Sequence, residues 1–162
     1  MTPEVDKRIL ELGKLCRARG WHVGLAESCT GGLLSSWLTT QAGVSNFYNG
    51  AVVSYARSVK ESVLQVPKSL LLVHGEVSLP VALHMARGAR RALSCDWAVG
   101  ITGVAGPSGG SADKPVGFVC FGVVGPGFES SCHKQFGAHA GRQDIQRQAA
   151  LFAFDFLLNA MR

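Results

Sequence analysis

Apolar residues recur at helical spacing along the first stretch of the chain. They share one face of a helix: Val5, Ile9, Leu12 and Cys16. Thr2 followed by Pro3 is typical of a helix start, and Gly20 is typical of a helix end. The pattern therefore predicts an amphipathic opening helix that ends at Gly20.

After Gly20, short apolar runs alternate with stretches of helical pattern. The runs predict strands at residues 21–26, 48–55, 96–102, 116–124 and 128–136. Further helices are predicted at 31–43, 57–66 and 79–94, with a last one from about Gly141. Such alternation is typical of an α/β fold, and the adjacent last two strands predict an antiparallel hairpin. At 162 residues we expect one domain.

Composition limits the classes of function. No apolar run approaches the roughly 20 residues of a membrane span, and the N-terminus lacks a signal-peptide pattern, so we expect a cytoplasmic protein that contacts no membrane. The five cysteines are scattered, form no CxxC pair and indicate core residues, at least four of them. The net charge of +5 suits an anionic partner, but basic residues are spread thinly and without interleaved aromatics. This thin spread of basic residues disfavours nucleic acid as the partner. A small phosphorylated ligand would account for the positive charge equally well.

The run AESCTGG, residues 26–32, lies between a predicted strand and a predicted helix. A turn of this kind presents side chains outward and points backbone N–H groups at one spot, so Ser28 is a candidate nucleophile. The alternative is that Ser28 and Thr30 only cap the helix that starts near Gly31. The pattern leaves both interpretations open.

A serine nucleophile needs a base. The five histidines, His22, His74, His84, His133 and His139, form no recognisable triad motif. Lys60, which follows the strand that ends near Tyr55, is the remaining candidate, since a buried neutral lysine can accept a serine proton. The alternatives are that Lys60 is a solvated lysine on a helix and that Tyr55 is only an aromatic residue at the end of a strand.

Two further segments suggest ligand binding. The loop ITGVAGPSGGSADKPVG, residues 101–117, places glycines after a strand, where backbone can approach a phosphate or sugar, although a flexible connection is the alternative. Arg142, at the predicted start of the last helix, could hold a phosphate with two N–H groups or could be an ordinary surface arginine.

Taken together, AESCTGG, VVSYARSVKESVLQV, HGEVS, the glycine loop and the late GRQDIQRQA make the chain resemble the family of CinA C-terminal domains. Members are nicotinamide mononucleotide deamidases of the PncC type. The resemblance covers nearly the whole chain in order and spacing. It implies a single three-layer α/β/α domain with a mixed, largely parallel sheet.

The resemblance also implies a reaction and roles for single residues. Family members hydrolyse the carboxamide of nicotinamide mononucleotide to nicotinate mononucleotide and ammonia, in pyridine nucleotide recycling, without a metal or other cofactor. The family's nucleophile falls on Ser28, its lysine on Lys60 and its tyrosine on Tyr55, while backbone N–H groups at Thr30 and Gly31 are expected to hold the oxyanion. The substrate-binding positions fall on Thr102, Gly103 and Arg142.

The chain departs from the family pattern near its end. It has HAGR where GDR is usual, and Gln146 where a basic residue is common, which implies altered phosphate binding. The N-terminal CinA domain that members often carry is not in this sequence, so we expect the stand-alone form. We further expect a homo-oligomer, with a dimer favoured.

Three rival interpretations remain. Cys29 adjoins Ser28, and a thiol is the intrinsically better nucleophile, although alternation at the turn should point it elsewhere. A non-catalytic nucleotide-binding module would need the glycine loop and Arg142 but not Ser28 with Lys60. Nucleic-acid binding is suggested by the charge and by the family's association with competence and DNA damage.

Overall fold

The structure is a computed structural model and describes residues 2–137 and 141–162. Within these ranges the helices are α1 (Pro3–Arg19), α2 (Leu33–Thr39), α3 (Arg57–Ser62), α4 (Lys68–His74), α5 (Leu79–Ala92) and α6 (Arg142–Met161). The strands are β1 (Val23–Glu27), β2 (Tyr48–Val53), β3 (Trp97–Gly103), β4 (Phe118–Gly125) and β5 (Phe128–Gln135). None of the helices in these ranges combines the length and apolar character needed to cross a bilayer.

The strands form one sheet in the order β2-β1-β3-β4-β5. β1 pairs in parallel with β2 and β3, whereas β4 runs antiparallel to both β3 and β5. Four strands therefore share one direction and only β4 opposes them. The predicted hairpin is confirmed, as is the mixed, largely parallel sheet.

Helices cover both faces of this sheet. Alternate residues of β1 point to opposite sides, so that Leu25 joins the core under α1, α2 and α6, while Ala26 joins the core under α4 and α5. The larger core includes Phe121 of β4 and Phe154 of α6. The α/β/α layering implied by the resemblance is thus confirmed.

The region after β2 differs from its prediction. A single helix over 57–66 was expected, but α3 ends at Ser62 and α4 begins only after Pro67. Gln65 has a positive φ of 54°, and a proline restricts the residue before it to extended backbone, so one continuous helix cannot form. The result is a compact corner that brings α4 and the segment after it back to the sheet.

Two glycines let α5 pack unusually close to the sheet. Gly100 of β3 and Gly122 of β4 are register partners. A Cβ on Gly100 would lie 2.3 Å from the Ala82 carbonyl oxygen, and one on Gly122 would lie 2.6 Å from it. Only residues without a side chain allow this approach of helix to strand.

The carboxyl ends of the three parallel strands β2, β1 and β3 meet at one edge of the sheet. Ser28 follows β1, Ser54 and Tyr55 follow β2, and Thr102 lies near the end of β3. In open α/β sheets ligands bind in the crevice at this edge. The candidate site lies here.

Candidate functional site

Ser28 occupies a tight turn between β1 and α2, as predicted. Its N–H still donates to the carbonyl of Ile101 on β3 at 3.0 Å, and its own carbonyl accepts from Gly31 at 3.0 Å. Gly31 and Gly32 both have positive φ, 62° and 95°, which reverses the chain within a few residues. Ser28 is 8 % exposed and lines a cavity of about 290 Å³.

Glu27, the residue before Ser28, holds this turn in place. Its side chain is completely buried, and its carboxylate accepts hydrogen bonds from the N–H groups of Gly32, Leu34 and Ser35 at 3.0, 3.2 and 2.8 Å. These are donors that the start of α2 would otherwise leave unpaired. This role of Glu27 was not predicted, although an acidic residue directly before Ser28 in AESCTGG is a signal that the sequence contains.

Lys60 reaches Ser28 from α3. Its Nζ lies 3.2 Å from the Ser28 Oγ, and the side chain is 1 % exposed. The alternative of a solvated lysine is therefore wrong. Nζ also donates to the carbonyl oxygens of Ser54 at 2.9 Å and Tyr55 at 3.4 Å, and to Oε2 of Glu76 at 3.1 Å. Each of these four neighbouring oxygens can accept a hydrogen bond from the amine.

Glu76, in the segment between α4 and α5, is the acidic partner of Lys60. Its side chain is 42 % exposed and lines the same cavity. The run HGEVS, which contains Glu76, contributed to the family resemblance, but no role was predicted for Glu76 itself. A buried lysine calls for an acidic partner, but the sequence does not show which acid the fold supplies.

Thr102 lies at the cavity with its hydroxyl already engaged. It is 1 % exposed, and its Oγ1 donates to the backbone carbonyl of Glu76 at 2.9 Å. Gly103 and the following residues through Gly106 also line the cavity. The Thr102 side chain thus fastens the Glu76 segment to the end of β3.

Tyr55 and Arg142 meet on the opposite side of the cavity. Arg142 donates from Nη1 to the Gly106 carbonyl at 2.7 Å and from Nη2 to the Tyr55 hydroxyl at 2.9 Å. Tyr55 contacts Lys60 only through its backbone carbonyl. Two of the five guanidinium N–H groups are used in these bonds, and no acceptor among the described residues contacts the other three, which are therefore available to a ligand.

The backbone donors of the turn differ from the expectation. The N–H of Gly31 donates to the Ser28 carbonyl and is therefore already engaged. The N–H groups of Cys29 and Thr30 have no acceptor within the described ranges, and Cys29 lines the cavity. The geometry therefore moves the candidate oxyanion donors from Thr30 and Gly31 to Cys29 and Thr30.

The Cys29 thiol is not prepared for nucleophilic attack. It is 5 % exposed, and burial raises its pKa to about 12. A thiol with so high a pKa is protonated at neutral pH, and the thiolate is the reactive form. Of the two side chains, Ser28 therefore remains the candidate nucleophile of the turn.

The late segment also reaches this turn. Gln146 of α6 donates from Nε2 to the Cys29 carbonyl at 2.9 Å, so this departure from the family pattern supports the turn. His139 and Ala140, the other departure, lie outside the described residues.

The described residues of the site include neither a histidine nor a cluster of metal-ligating side chains. None of the histidines in the described ranges lines the cavity. Nor does any group of three or more His, Cys, Asp or Glu side chains in these ranges have the arrangement to hold a metal ion.

One family of proteins matches this chain in sequence. A model of the CinA C-terminal domain matches residues 6–161. A CinA-like protein of Anaeromyxobacter dehalogenans (strain 2CP-C) is 49 % identical over 146 residues, which are 90 % of this chain and 35 % of that protein. A second CinA-like protein, from Gloeobacter violaceus, is 45 % identical over 85 % of this chain and 32 % of its own length. The chain thus spans about a third of these curated relatives.

Solved structures share the whole fold. The competence/damage inducible protein CihA from Agrobacterium tumefaciens has a TM-score of 0.96 at 32 % identity, covering 100 % of this chain and 98 % of that one. A CinA superfamily protein from Klebsiella pneumoniae has a TM-score of 0.91 at 32 % identity, covering 97 % of each chain. The match extends over the site as well as the core.

Proposed function

The chain belongs to the family of CinA C-terminal domains, and from this premise we propose that it is an amidase that hydrolyses nicotinamide mononucleotide to nicotinate mononucleotide and ammonia. The observation that carries the proposal is the 3.2 Å contact between Ser28 Oγ and Lys60 Nζ. Both side chains are buried at the base of a cavity of about 290 Å³ that also holds Arg142.

The first half of the reaction acylates Ser28. Lys60 in its neutral form accepts the Ser28 proton as Oγ attacks the carboxamide carbon. When the tetrahedral intermediate collapses, the C–N bond breaks, Lys60 returns the proton to nitrogen, and ammonia leaves.

The second half releases the acid. Water attacks the Ser28 ester, Lys60 takes a proton from it, and the same proton returns to Oγ as the ester bond breaks. The free N–H groups of Cys29 and Thr30 are the donors that would hold the oxyanion in both halves. Removing one such donor in other hydrolases costs about 3 to 4 kcal/mol of transition-state stabilisation.

The phosphate end of the substrate is assigned to Arg142. Its guanidinium is fixed by Gly106 and Tyr55 and keeps three N–H groups that can donate to phosphate oxygens. The cavity therefore offers a cation for the phosphate and a serine for the carboxamide at separate places.

An ammonia-release assay tests the proposal. Nicotinamide mononucleotide should be hydrolysed, and nicotinamide riboside, which lacks the phosphate, should react with a much higher KM. Arg142→Ala should remove most of that difference, because the arginine would act on the phosphate alone. Calorimetric binding of nicotinamide mononucleotide without any ammonia release would instead indicate a nucleotide-binding module.

A further inference from the structure

Three charged side chains line the cavity within the described ranges, and they are not equivalent. Lys60 is buried, Arg142 lies beside Gly106, and Glu76 provides the negative charge, with 42 % of its side chain exposed. Oε2 of Glu76 accepts from Lys60, whereas no donor in the described ranges contacts Oε1. One oxygen of this carboxylate is therefore available to a ligand.

The position of Glu76 is fixed by its surroundings. Its backbone carbonyl accepts from Thr102 at 2.9 Å. The flanking residues are also held, because Lys114 donates to the His74 carbonyl at 2.7 Å and the Ser78 hydroxyl donates to the Gly75 carbonyl at 3.3 Å. A carboxylate held at both sides of its backbone keeps its place when a ligand enters.

Glu76 is also close to the reacting centre. Lys60 Nζ is within hydrogen-bond distance of both Ser28 Oγ, at 3.2 Å, and Glu76 Oε2, at 3.1 Å. Ser28 and Glu76 line the same cavity, so a ring whose carboxamide carbon is at Ser28 can lie near Glu76. In a nicotinamide nucleotide that ring carries a positive charge spread over its atoms, while the phosphate at the other end is negative.

We infer that Glu76 determines specificity by selecting a positively charged pyridinium ring over an uncharged ring that bears the same carboxamide. The inference rests on the proposed function and deepens it. Glu76 and Arg142 then form a pair of opposite charges that matches a substrate with a cationic ring and an anionic phosphate. The charge of Glu76 is partly screened because its side chain is 42 % exposed, but a tenfold preference between ligands of equal shape requires only about 1.4 kcal/mol.

A purely structural role predicts a different result. If Glu76 only positioned Lys60, its loss would affect every carboxamide substrate to the same degree. If it senses the ring charge, its loss affects the cationic ligand alone. Oxidised and reduced nicotinamide mononucleotide separate the two cases, because the reduced form keeps the phosphate, ribose and carboxamide but has an uncharged ring.

The experiment measures binding by calorimetry in a Ser28→Ala background, where no chemistry occurs. We expect the oxidised form to bind at least about tenfold more tightly than the reduced form. Adding Glu76→Gln should reduce this ratio to near one by weakening only the oxidised form, whereas Glu76→Asp should keep a preference. Glu61→Gln is the matched control, since Glu61 pairs with Arg57 outside the cavity.

An unchanged ratio in Glu76→Gln, or an equal loss for both ligands, would overturn the inference. Glu76→Ala provides the same comparison if the glutamine variant does not fold. Turnover by the unaltered protein is measured separately. Absence of ammonia release would count against the proposed function alone, whereas normal release with an unchanged binding ratio would count against Glu76 alone.

Discussion

Arg142 donates a hydrogen bond to the Tyr55 hydroxyl at 2.9 Å, although 87 positions separate the two residues in the sequence. This contact links the start of α6 to the end of β2 at the side of the cavity. Lys60 is hydrogen-bonded to the Tyr55 backbone carbonyl, and no hydrogen bond joins Lys60 to the Tyr55 hydroxyl among the described residues. The hydrogen bonds therefore connect the Tyr55 side chain to the arginine and not to the lysine.

Tyr55→Phe should therefore affect binding more than chemistry. The loss of one hydrogen bond to Arg142 is worth about 1 kcal/mol, so KM for nicotinamide mononucleotide should rise roughly fivefold. The Lys60 contact with the Tyr55 carbonyl survives the change, and kcat should stay within about twofold of the original. Steady-state kinetics measures both effects, and a large fall in kcat at constant KM would instead indicate that the Tyr55 hydroxyl takes part in proton transfer.

Ser28→Ala should abolish ammonia release, whereas Cys29→Ala should keep most of it. The reason is that the raised pKa of the buried Cys29 thiol keeps it protonated near neutral pH. Alkylation with iodoacetamide at pH 7.5 should likewise spare the activity. Activity that persists in Ser28→Ala and disappears in Cys29→Ala would reverse the assignment.

Lys60→Met should lower kcat/KM by a factor of about 1,000 or more, since a serine without its base is a poor nucleophile. Methionine fills a similar volume, so the variant is expected to fold, which circular dichroism would verify. Lys68→Met is the control, because Lys68 is exposed on α4 and does not line the cavity. Near-normal turnover in Lys60→Met would remove the lysine from the mechanism.

Glu27→Ala should destabilise the protein by at least about 3 kcal/mol, because three buried or half-buried N–H groups lose their acceptor. Urea unfolding measures the change. Glu61→Ala, which removes a surface pair with Arg57, should cost no more than about 0.5 kcal/mol. Equal costs for the two variants would mean that the buried carboxylate does not hold the turn.

Stability should also fall at alkaline pH. Burial raises the pKa of the Cys16 and Cys29 thiols to about 12, and that of Cys95 and Cys120 to about 11. In the unfolded chain these thiols ionise near pH 8.5, so above that pH the unfolded state binds fewer protons and is favoured. The free energy of unfolding should be steady from pH 6 to 8 and then decline.

Urea titrations with a reductant present test this dependence. The decline above pH 8.5 should be about 1 kcal/mol or more per pH unit. A double variant, Cys95→Ala with Cys120→Ala, should show a shallower slope whatever its stability at pH 7. The same slope in both proteins would exclude the thiols as its source.

Local patterns were sufficient to predict much of the molecule. The stop at Gly20, the strand before Ser28 and the final hairpin all depend on neighbouring residues, and each is present in the structure. The helix predicted over 31–43 is shorter than expected, because α2 ends at Thr39 and Gly43 instead precedes a short 3-10 helix at Val44–Asn46. Lys60 was a candidate base once no histidine motif was found, but only the family resemblance favoured it over a solvated lysine, because nothing near it in the sequence indicates that it is buried. The tertiary partners, Glu76 with Lys60 and Arg142 with Tyr55, were not predicted, since the fold alone brings them together.

The close approach of α5 to the sheet has a consequence for how the site could be altered. α5 begins at Leu79, directly after the segment that carries Glu76, and rests on Gly100 and Gly122. A methyl group added at either glycine would push α5 away from the sheet. The segment before α5 would move with it, and Glu76 would then lie farther from Lys60. The distance between the charges of Glu76 and Lys60 thus depends on Gly100 and Gly122, which contact neither side chain. Substitution at these two glycines is a route to altering the site from a distance.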